Sequence, residues 1–252
     1  MENETVILAA GCRLTASGGG EWFAEGSRRF RAPINRRHGA VDIAQTVSEY
    51  ARGPAPSRRN AKSEEVLYVY EGRGVCHIDG QPYDINPGHA AYIPPGAVYQ
   101  IENLHGAPLK IISVCCPEET AEIVTGAVER KIAPNPLVVH ESARAAIPTG
   151  ERRFHLLAHK DLGCQRVTQF LGVIPPGQAP QHYHAYEEAI FILNGYGLLW
   201  ADEASCEFTA GDSIYLAPGQ RHCLENIGLQ DVRLLGVFYP SGSPATNYAS
   251  SQ

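Results

Sequence analysis

The apolar residues of this chain are grouped in short runs that end at glycine or proline. The segments EVLYVYEG and AIFILNG are rich in β-branched and aromatic residues and end at Gly, and AAYIPPGA and SIYLAPGQ lead from an apolar run into a Pro-Gly turn. Gly and Pro interrupt the apolar runs along most of the chain. This pattern predicts an all-β protein, built as an antiparallel sandwich or barrel, with few helices.

The chain contains an internal repeat. EEVLYVYEGRG begins at Glu64 and aligns with EEAIFILNGYG at Glu187, an offset of 187 − 64 = 123 positions. The same offset then relates Gly72 to Gly195, Gly88 to Gly211, Pro95 to Pro218 and Glu102 to Glu225. Upstream the offset changes by one, since Gly53 and Gly177 differ by 177 − 53 = 124, as a single insertion in a loop would cause. We therefore expect two copies of one unit.

One segment between the two copies has a helical pattern. PEETAEIVTGAVERK, which starts at Pro117, has acidic residues in its first turn and basic residues in its last. The basic segment RRFRAPINRRH from Arg28 is interpreted as a solvated loop, with an arm across a dimer partner as the alternative. The predicted division is an N-terminal arm 1–45, an N-terminal barrel 46–116, a linker with a short helix 117–150, a C-terminal barrel 151–240 and a tail 241–252.

Composition and charge narrow the function classes. The net charge of −6, from 27 acidic and 21 basic residues, argues against a polyanion binder, so nucleic acid is not expected as a partner. No apolar run is long enough for a membrane span, and the N-terminal MENETVILAAGC does not resemble a signal peptide, so a cytoplasmic protein is expected. The seven cysteines form no CxxC pair and are expected to be reduced packing residues.

The second copy carries a group of residues suited to metal binding. His182, His184 and Glu188 lie at even separations, so their side chains can point to one face of an extended segment, the barrel interior. His222 comes from a neighbouring strand, just after a Pro-Gly turn. Three imidazoles and one carboxylate suit a divalent first-row metal and leave coordination positions open for substrate. Glu187 is the rival fourth ligand, but Glu188 shares the parity of the histidines.

These landmarks resemble the two signature motifs of the cupin superfamily, and the whole chain resembles a bicupin. The first motif is matched by Gly177, His182, His184, Glu188 and Gly195, and the second by Gly211, Gly219, His222 and Asn226. Two departures are that four residues rather than five separate Gly177 from His182, and that Ala217 stands where the family has Pro. The resemblance implies tandem cupin barrels of the double-stranded β-helix, jelly-roll type, with His182, His184, Glu188 and His222 as metal ligands.

The first copy has lost most of this group. With the offset of 123, the positions of the three histidines are taken by Arg59, Ala61 and Tyr99, and only the carboxylate is kept, as Glu65. We therefore predict a metal-free N-terminal barrel in which Glu65 pairs with Arg58 or Arg59. In the alternative, Arg59, Glu65 and Tyr99 line a second pocket for an anionic ligand.

Other residues are weaker candidates. His155 and His159 have helical spacing, but no third ligand lies near them in the sequence. Cys223 follows a predicted ligand and is expected to pack in the core. Either Gln169 or Phe170 lines the pocket, depending on which face of its strand points inward.

The predicted function is a metal-dependent cupin enzyme acting on a small organic substrate that chelates the metal. The leading hypothesis is an Fe(II) dioxygenase, with dioxygen as co-substrate and Glu188 as the catalytic base. The alternatives are a non-redox isomerase, lyase or hydrolase using Mn, Zn or Ni, or a non-catalytic binding protein. One divalent transition metal is expected per chain, with Fe first and Mn, Ni, Zn, Co and Cu as alternatives. The resemblance also implies a homodimer.

Overall fold

The protein is built almost entirely from short β-strands. The computed structural model describes residues 5–126 and 128–245. Its strands are β1 Thr5–Ile7, β2 Arg13–Thr15, β3 Phe23–Glu25, β4 Arg28–Ile34, β5 Ala44–Tyr50, β6 Gly53–Pro54, β7 Ser57–Arg59, β8 Glu64–Glu71, β9 Gly74–Ile78, β10 Gln81–Ile85, β11 His89–Ile93, β12 Val98–Asn103, β13 Leu109–Cys116, β14 Glu122–Val124, β15 Val138–His140, β16 Ile147–Thr149, β17 Arg152–Leu156, β18 Thr168–Ile174, β19 Gly177–Gln178, β20 Glu187–Asn194, β21 Tyr196–Ala201, β22 Ala204–Thr209, β23 Ser213–Leu216, β24 His222–Asn226 and β25 Val232–Tyr239. The helices are short 3-10 turns at Ala9–Gly11, Arg36–His38, Glu141–Ala143 and Lys160–Leu162.

The strands form two barrels, each made of two antiparallel sheets. The N-terminal barrel has a large sheet in the order β15-β11-β8-β13-β5-β4-β3 and a small one in the order β10-β9-β12-β7-β14, with β6 paired to β12. The C-terminal barrel has a large sheet in the order β1-β2-β23-β20-β25-β18-β17-β16 and a small one in the order β19-β24-β21-β22. This confirms the predicted all-β fold. Over the described ranges, no helix is long and apolar enough to cross a bilayer.

The two barrels repeat each other in register, and this register corrects one sequence alignment. The residue His182 forms a β-bridge with His222, and Arg58 is the residue that pairs with Tyr99 in the other barrel. Arg58 is therefore the counterpart of His182, and Asn60 that of His184. The expected counterparts Arg59 and Ala61 were wrong by one residue, because the insertion lies just before β8 and β20.

Each barrel borrows a strand from the other half of the chain. β2 pairs with β23, so the first strands of the chain extend the C-terminal barrel, and β15 pairs with β11 of the N-terminal barrel. The segment expected to be an arm thus supplies strands to both barrels. Its basic stretch is strand β4 and a 3-10 turn rather than a solvated loop, and Arg28 and Arg31 in it are only 4% and 2% exposed.

The large sheets of the two barrels pack against each other. The apolar cluster between them consists of Val47, Tyr68, Ala90, Ile112, Leu157, Leu171, Phe191 and Leu235. Two buried carboxylates reinforce this interface in the same way. Glu187 accepts hydrogen bonds from the backbone N–H groups of Val41 and Asp42, at 2.6 and 2.8 Å. Glu64 accepts them from Gln165 and Arg166, at 2.8 and 2.9 Å. These N–H groups belong to the loops that precede β5 and β18, which we call the entry loops of the two barrels. Each barrel therefore binds the entry loop of the other.

The helix expected from Pro117 is wrong. The described part of that segment contains the strand β14, which pairs with β7, and the linker's short helix is the 3-10 turn at Glu141–Ala143. The acidic residues at the start of the segment have another role. Glu119 accepts hydrogen bonds from the backbone N–H groups of Ala61, Lys62 and Ser63, each at 3.0 Å. The carboxylates that suggested a helix N-terminus thus bind a neighbouring loop.

Candidate metal centre

Three histidines of the C-terminal barrel meet at the end of its small sheet. His182 and His222 are joined by two backbone hydrogen bonds, of 2.9 and 2.8 Å, which place their side chains next to each other. His184 follows two residues later on the same face. The three potential ligand nitrogens all lie within 4.8 Å of one another. This separation is short enough for the three nitrogens to share one cation.

Hydrogen bonds orient two of the imidazoles toward the pocket. Nδ1 of His182 donates to the Pro180 carbonyl at 3.0 Å, and Nδ1 of His222 donates to the Gln220 carbonyl at 2.8 Å. Each bond leaves Nε2 as the unprotonated nitrogen that faces the centre. His184 is held differently, because its ring stacks on Tyr186 with a centroid distance of 5.0 Å.

Glu188 lies beside His184 and is buried, although its carboxylate oxygens are not among the three clustered ligand atoms. Its Oε2 is 3.6 Å from Nε2 of His184, and the residue is only 4% exposed. Burial raises the pKa of Glu188 to about 8, although the charge of Arg152 opposes the shift. When no metal is bound to the C-terminal barrel, this carboxyl group therefore carries a proton at neutral pH.

The histidines are shifted in the opposite direction. Burial, followed by the mutual repulsion of the rings, lowers the pKa of His184 to about 3. Burial and the neighbouring His182 lower the pKa of His222 to about 3, and burial also lowers the pKa of His182. All three rings are therefore neutral near pH 7, which is the form that binds a metal ion.

The centre lies at the inner end of a small apolar pocket. The pocket has a volume of about 70 Å³, and its walls are formed mainly by Phe154, Phe170, Ile174, Ile190, Leu216, Leu224, Leu234 and Phe238. An outer groove of about 430 Å³ shares Thr149, Arg152 and Ile174 with the pocket. These shared residues form the boundary between the groove and the pocket, so a ligand that passes from one to the other passes Arg152.

The structure separates the sequence candidates from one another. It brings His182, His184 and His222 together with Glu188 next to them, whereas Glu187 points to the barrel interface and also accepts a 2.7 Å hydrogen bond from Tyr215. Phe170, not Gln169, lines the pocket. Cys223 is fully buried, in agreement with a packing role.

Two other histidine candidates lie elsewhere. His155 is on the strand β17 rather than on a helix, and its Nδ1 donates to the Arg144 carbonyl at 2.9 Å. His159 is next to Asp161, with 3.3 Å between Nε2 and the carboxylate. Neither residue belongs to the three-histidine group. The helical spacing of the pair was misleading because the segment is a strand followed by a turn.

Sequence reasoning missed Arg152, although a signal was present. The tripeptide Arg-Arg-Phe occurs at Arg28 and again at Arg152, with the offset of 124 that holds upstream of the insertion. A search of the repeat in that region would have found it. Arg152 is half-buried in the pocket wall, and it forms neither a hydrogen bond nor an ion pair with any residue that the structure describes.

In the N-terminal barrel the corresponding positions are bonded to one another. Glu65 accepts hydrogen bonds from Nδ2 of Asn60 at 2.7 Å and from the hydroxyl of Tyr99 at 2.9 Å. The expected pairing of Glu65 with an arginine was wrong, since Arg58 binds Glu25 and Arg59 binds Glu122, each at 2.6 Å. Arg59 points to the surface, so it does not line a pocket with Glu65 and Tyr99.

Comparisons with known proteins agree with this architecture. A family model described as the Cupin domain matches twice, at residues 47–115 and 170–238. The uncharacterized protein MJ1618 of Methanocaldococcus jannaschii is 43% identical over 54 residues, which are 21% of this chain and 42% of that protein. The matched part thus spans less than half of that relative.

Solved structures with a similar fold include oxalate decarboxylase from Bacillus subtilis. Its structure at pH 4.6 aligns with a TM-score of 0.74 and 15% identity, covering 91% of this chain and 77% of that one. A mutant of the same enzyme aligns with a TM-score of 0.76 and 15% identity, covering 93% and 79%. At this identity the similarity establishes the shared two-barrel fold.

Proposed function

Since this chain belongs to the cupin family, in which it is a bicupin, we propose that its C-terminal barrel is the active site of a metal-dependent enzyme acting on a small organic substrate. The observation that carries the proposal is the group of three neutral histidines and one buried carboxyl group at the inner end of a pocket. A pocket that opens toward a groove distinguishes a reactive site from a closed structural one.

The residues present fit a divalent cation. His182, His184, His222 and Glu188 would hold it, with the two carbonyl-bound imidazoles presenting Nε2. Without a cation, a buried carboxyl group next to three clustered nitrogens is unfavourable, as the shifted pKa of Glu188 reflects. When bound, a first-row metal supplies a Lewis acid for a chelating oxygen of the substrate and, if it is iron, an electron-transfer centre for dioxygen.

The other residues bind the substrate and exclude water. The ring of Phe238 lies 5.1 Å from that of His184, and Phe170 lies 4.9 Å from Phe238, so an apolar wall covers one side of the centre. A volume of about 70 Å³ admits a small acid or hydroxycarbonyl compound rather than a drug-sized ligand.

For the reaction, oxygen-dependent oxidation by iron is the first candidate. Its support is a set of four side chains that would leave coordination positions open on a bound metal, in a pocket with mainly apolar walls. The second candidate is decarboxylation without net redox change. In it the bond between the carboxylate carbon and the rest of the substrate breaks, CO₂ leaves, and the remaining carbon takes a proton from water, which leaves hydroxide. The fold shared with oxalate decarboxylases favours this candidate.

Metal analysis of the purified protein tests the site. We expect about one divalent ion per chain, and at least a tenfold loss of bound metal in His182→Ala and His222→Ala. His77→Ala is the matched control, because His77 is a half-exposed histidine of the other barrel, paired only with Glu102. Full metal content in both site variants, or equal loss in the control, would contradict the proposal.

The two reactions are separated by their products. Metal-loaded protein is mixed with a panel of small hydroxy, keto and dicarboxylic acids, and oxygen consumption and CO₂ release are recorded together. Oxygen uptake that is coupled to turnover identifies the oxidation. CO₂ release at the same rate with and without oxygen identifies the decarboxylation. The assembly into a homodimer stays a prediction.

A further inference from the structure

The internal repeat extends to a strand pair next to the active site. In the N-terminal barrel, β3 pairs with β4 in the register that sets Glu25 opposite Arg28. In the C-terminal barrel, β16 pairs with β17 in the register that sets Thr149 opposite Arg152. Phe30 and Phe154 occupy equivalent positions in the two pairs. The two arginines are therefore counterparts, and so are Glu25 and Thr149.

In the N-terminal barrel a carboxylate of the chain neutralises this arginine. Oε2 of Glu25 lies 3.4 Å from Nη1 of Arg28 and 2.6 Å from Nη1 of Arg58. Nε of Arg28 donates to the hydroxyl of Ser48 at 3.0 Å. The guanidinium thus has both an anion and a hydroxyl acceptor; Arg28 and Ser48 are almost fully buried, and Glu25 is partly exposed.

In the C-terminal barrel every one of these partners has changed. Thr149 replaces Glu25, Gly172 replaces Ser48, and His182 replaces Arg58. Together with Arg152, these residues line the pocket of the metal centre. The pocket therefore lies where the first barrel holds a carboxylate between two cations. Arg152 faces it without a bonded partner among the described residues.

We propose that Arg152 binds a carboxylate group of the substrate, in the place that the side chain of Glu25 occupies in the other barrel. The substrate class is then a small organic acid that carries, beside this carboxylate, a second oxygen donor directed at the three histidines. The position of the second oxygen donor rests on the proposed function, because it assumes a metal ion held by the three histidines. The contact between Arg152 and the carboxylate does not depend on it.

The charges around the pocket are consistent with this assignment. Burial lowers the pKa of Arg152, and the nearby Glu188, which forms no ion pair with it, only partly opposes this shift. Arg153 also lines the pocket, but it is exposed and bonded at 2.9 Å to Asp231, so its charge is already paired. Glu151 faces only the outer groove. A bidentate arginine contact also explains how a pocket with apolar walls can take an acid.

Paired acids and amides test the charge requirement. Glycolate, pyruvate and oxalate are titrated calorimetrically into Mn²⁺-loaded protein, and glycolamide, pyruvamide and oxamide serve as neutral analogues. In the wild type we expect at least one acid to bind about tenfold or more tightly than its amide. Arg152→Gln should weaken that binding about 10- to 100-fold, and Arg152→Lys should restore part of it. Arg29→Gln is the matched control, because Arg29 is an exposed arginine of the other barrel that is paired with Glu49, and it should change the binding less than about twofold.

A second variant reproduces the first barrel in the second. Thr149→Glu places a carboxylate opposite Arg152 in the register of Glu25, and we expect it to reduce acid binding more than about tenfold while the metal stays bound. Thr149→Gln, which has the same size but no charge, should stay within about threefold of the wild type. Comparing these two variants distinguishes the effect of the negative charge beside Arg152 from the effect of a larger side chain that fills the pocket.

The outcomes distinguish this inference from the proposed function. Metal content is measured on every sample, so a wild type that holds no metal overturns the proposed function, and acid binding by the same metal-free protein still tests Arg152. If no acid binds better than its amide at up to about 10 mM, or if Arg152→Gln binds like the wild type, the assignment of Arg152 is wrong. Equal effects of Thr149→Glu and Thr149→Gln would also contradict it.

Discussion

Burial gives the carboxyl group of Glu188 its unusual chemistry. With the pKa raised to about 8, the folded metal-free protein keeps a proton that the unfolded chain loses near 4.5. Below the pKa of the unfolded chain, the group does not affect the free energy of unfolding. As the pH rises from that pKa to the pKa of the folded protein, the group lowers the free energy of unfolding. A cation removes this cost because it binds the ionised form.

This shift predicts a pH-dependent stability of the metal-free protein. Between about pH 7 and pH 9, ionisation of Glu188 in the folded protein should lower the free energy of unfolding by about 1.4 kcal/mol. Glu188→Gln should remove that part of the decrease. Urea unfolding of chelator-treated wild type and variant at the two pH values measures it, with Glu207→Ala as an exposed control. Parallel pH profiles of wild type and Glu188→Gln would show that the shift is absent.

The Asn of the second cupin motif has a structural role, which is the same in both copies of the repeat. Nδ2 of Asn226 donates to the carbonyls of Ile174 and Gln230, at 2.9 and 2.8 Å. Asn103 does the same in the first barrel, with the carbonyls of Tyr50 and Ala107. This residue closes the end of the small sheet and occurs in both copies, whereas the three clustered histidines occur in one.

At the scale of elements, alternate residues of one strand point to opposite faces and therefore have different roles. Residues of β18 alternate between the pocket and the barrel interface: Phe170 reaches the pocket, and Leu171 joins the cluster between the large sheets. The same alternation in β20 separates Glu188, near the histidines, from Glu187, which binds the entry loop of the other barrel. Two adjacent carboxylates thus have unrelated roles because they lie on opposite faces of one strand.

The two loop-binding carboxylates predict matched losses of stability. Glu187→Ala and Glu64→Ala each remove the acceptor of two backbone N–H groups and one tyrosine hydroxyl, so each should lower the free energy of unfolding by about 2 to 4 kcal/mol. Chemical denaturation measures the change, again with Glu207→Ala as the control. Glu187→Ala should keep its bound metal. Loss of metal in that variant alone would make Glu187 the fourth ligand instead of Glu188.

At the scale of the whole molecule, the two barrels form one structural unit. Each contributes a strand to the other's large sheet, and a shared apolar cluster lies between those sheets. The N-terminal copy is therefore part of the framework that positions the other one. Its interior is filled by Arg58, Asn60, Glu65 and Tyr99 in the places of the ligands.

This arrangement predicts cooperative unfolding. In calorimetry we expect a single transition with equal calorimetric and van't Hoff enthalpies, since neither barrel keeps a complete sheet without the other. Mn²⁺ should shift the whole transition upward, although it binds in one barrel only. Two separate transitions, of which only one responds to the metal, would show that the barrels fold independently.

The sequence by itself determined the all-β class, the duplication and the residues of the candidate metal centre. These properties are visible because strand periodicity, turn residues and ligand spacing are local, and because two copies of one unit can be compared. His182, His184, Glu188 and His222 stand out for that reason, although their role as ligands stays a prediction.

Only the tertiary structure decided what each element packs against. The acidic segment from Pro117 has the charge pattern of a helix, yet Glu119 binds a distant loop and the following residues pair with β7. The position of the single-residue insertion became clear only from the pairing of Arg58 with Tyr99. The pocket arises where strands from different parts of the chain meet, and Arg152 lies in it without a bonded partner among the residues that the structure describes. Charge and burial depend on neighbours that are remote in sequence.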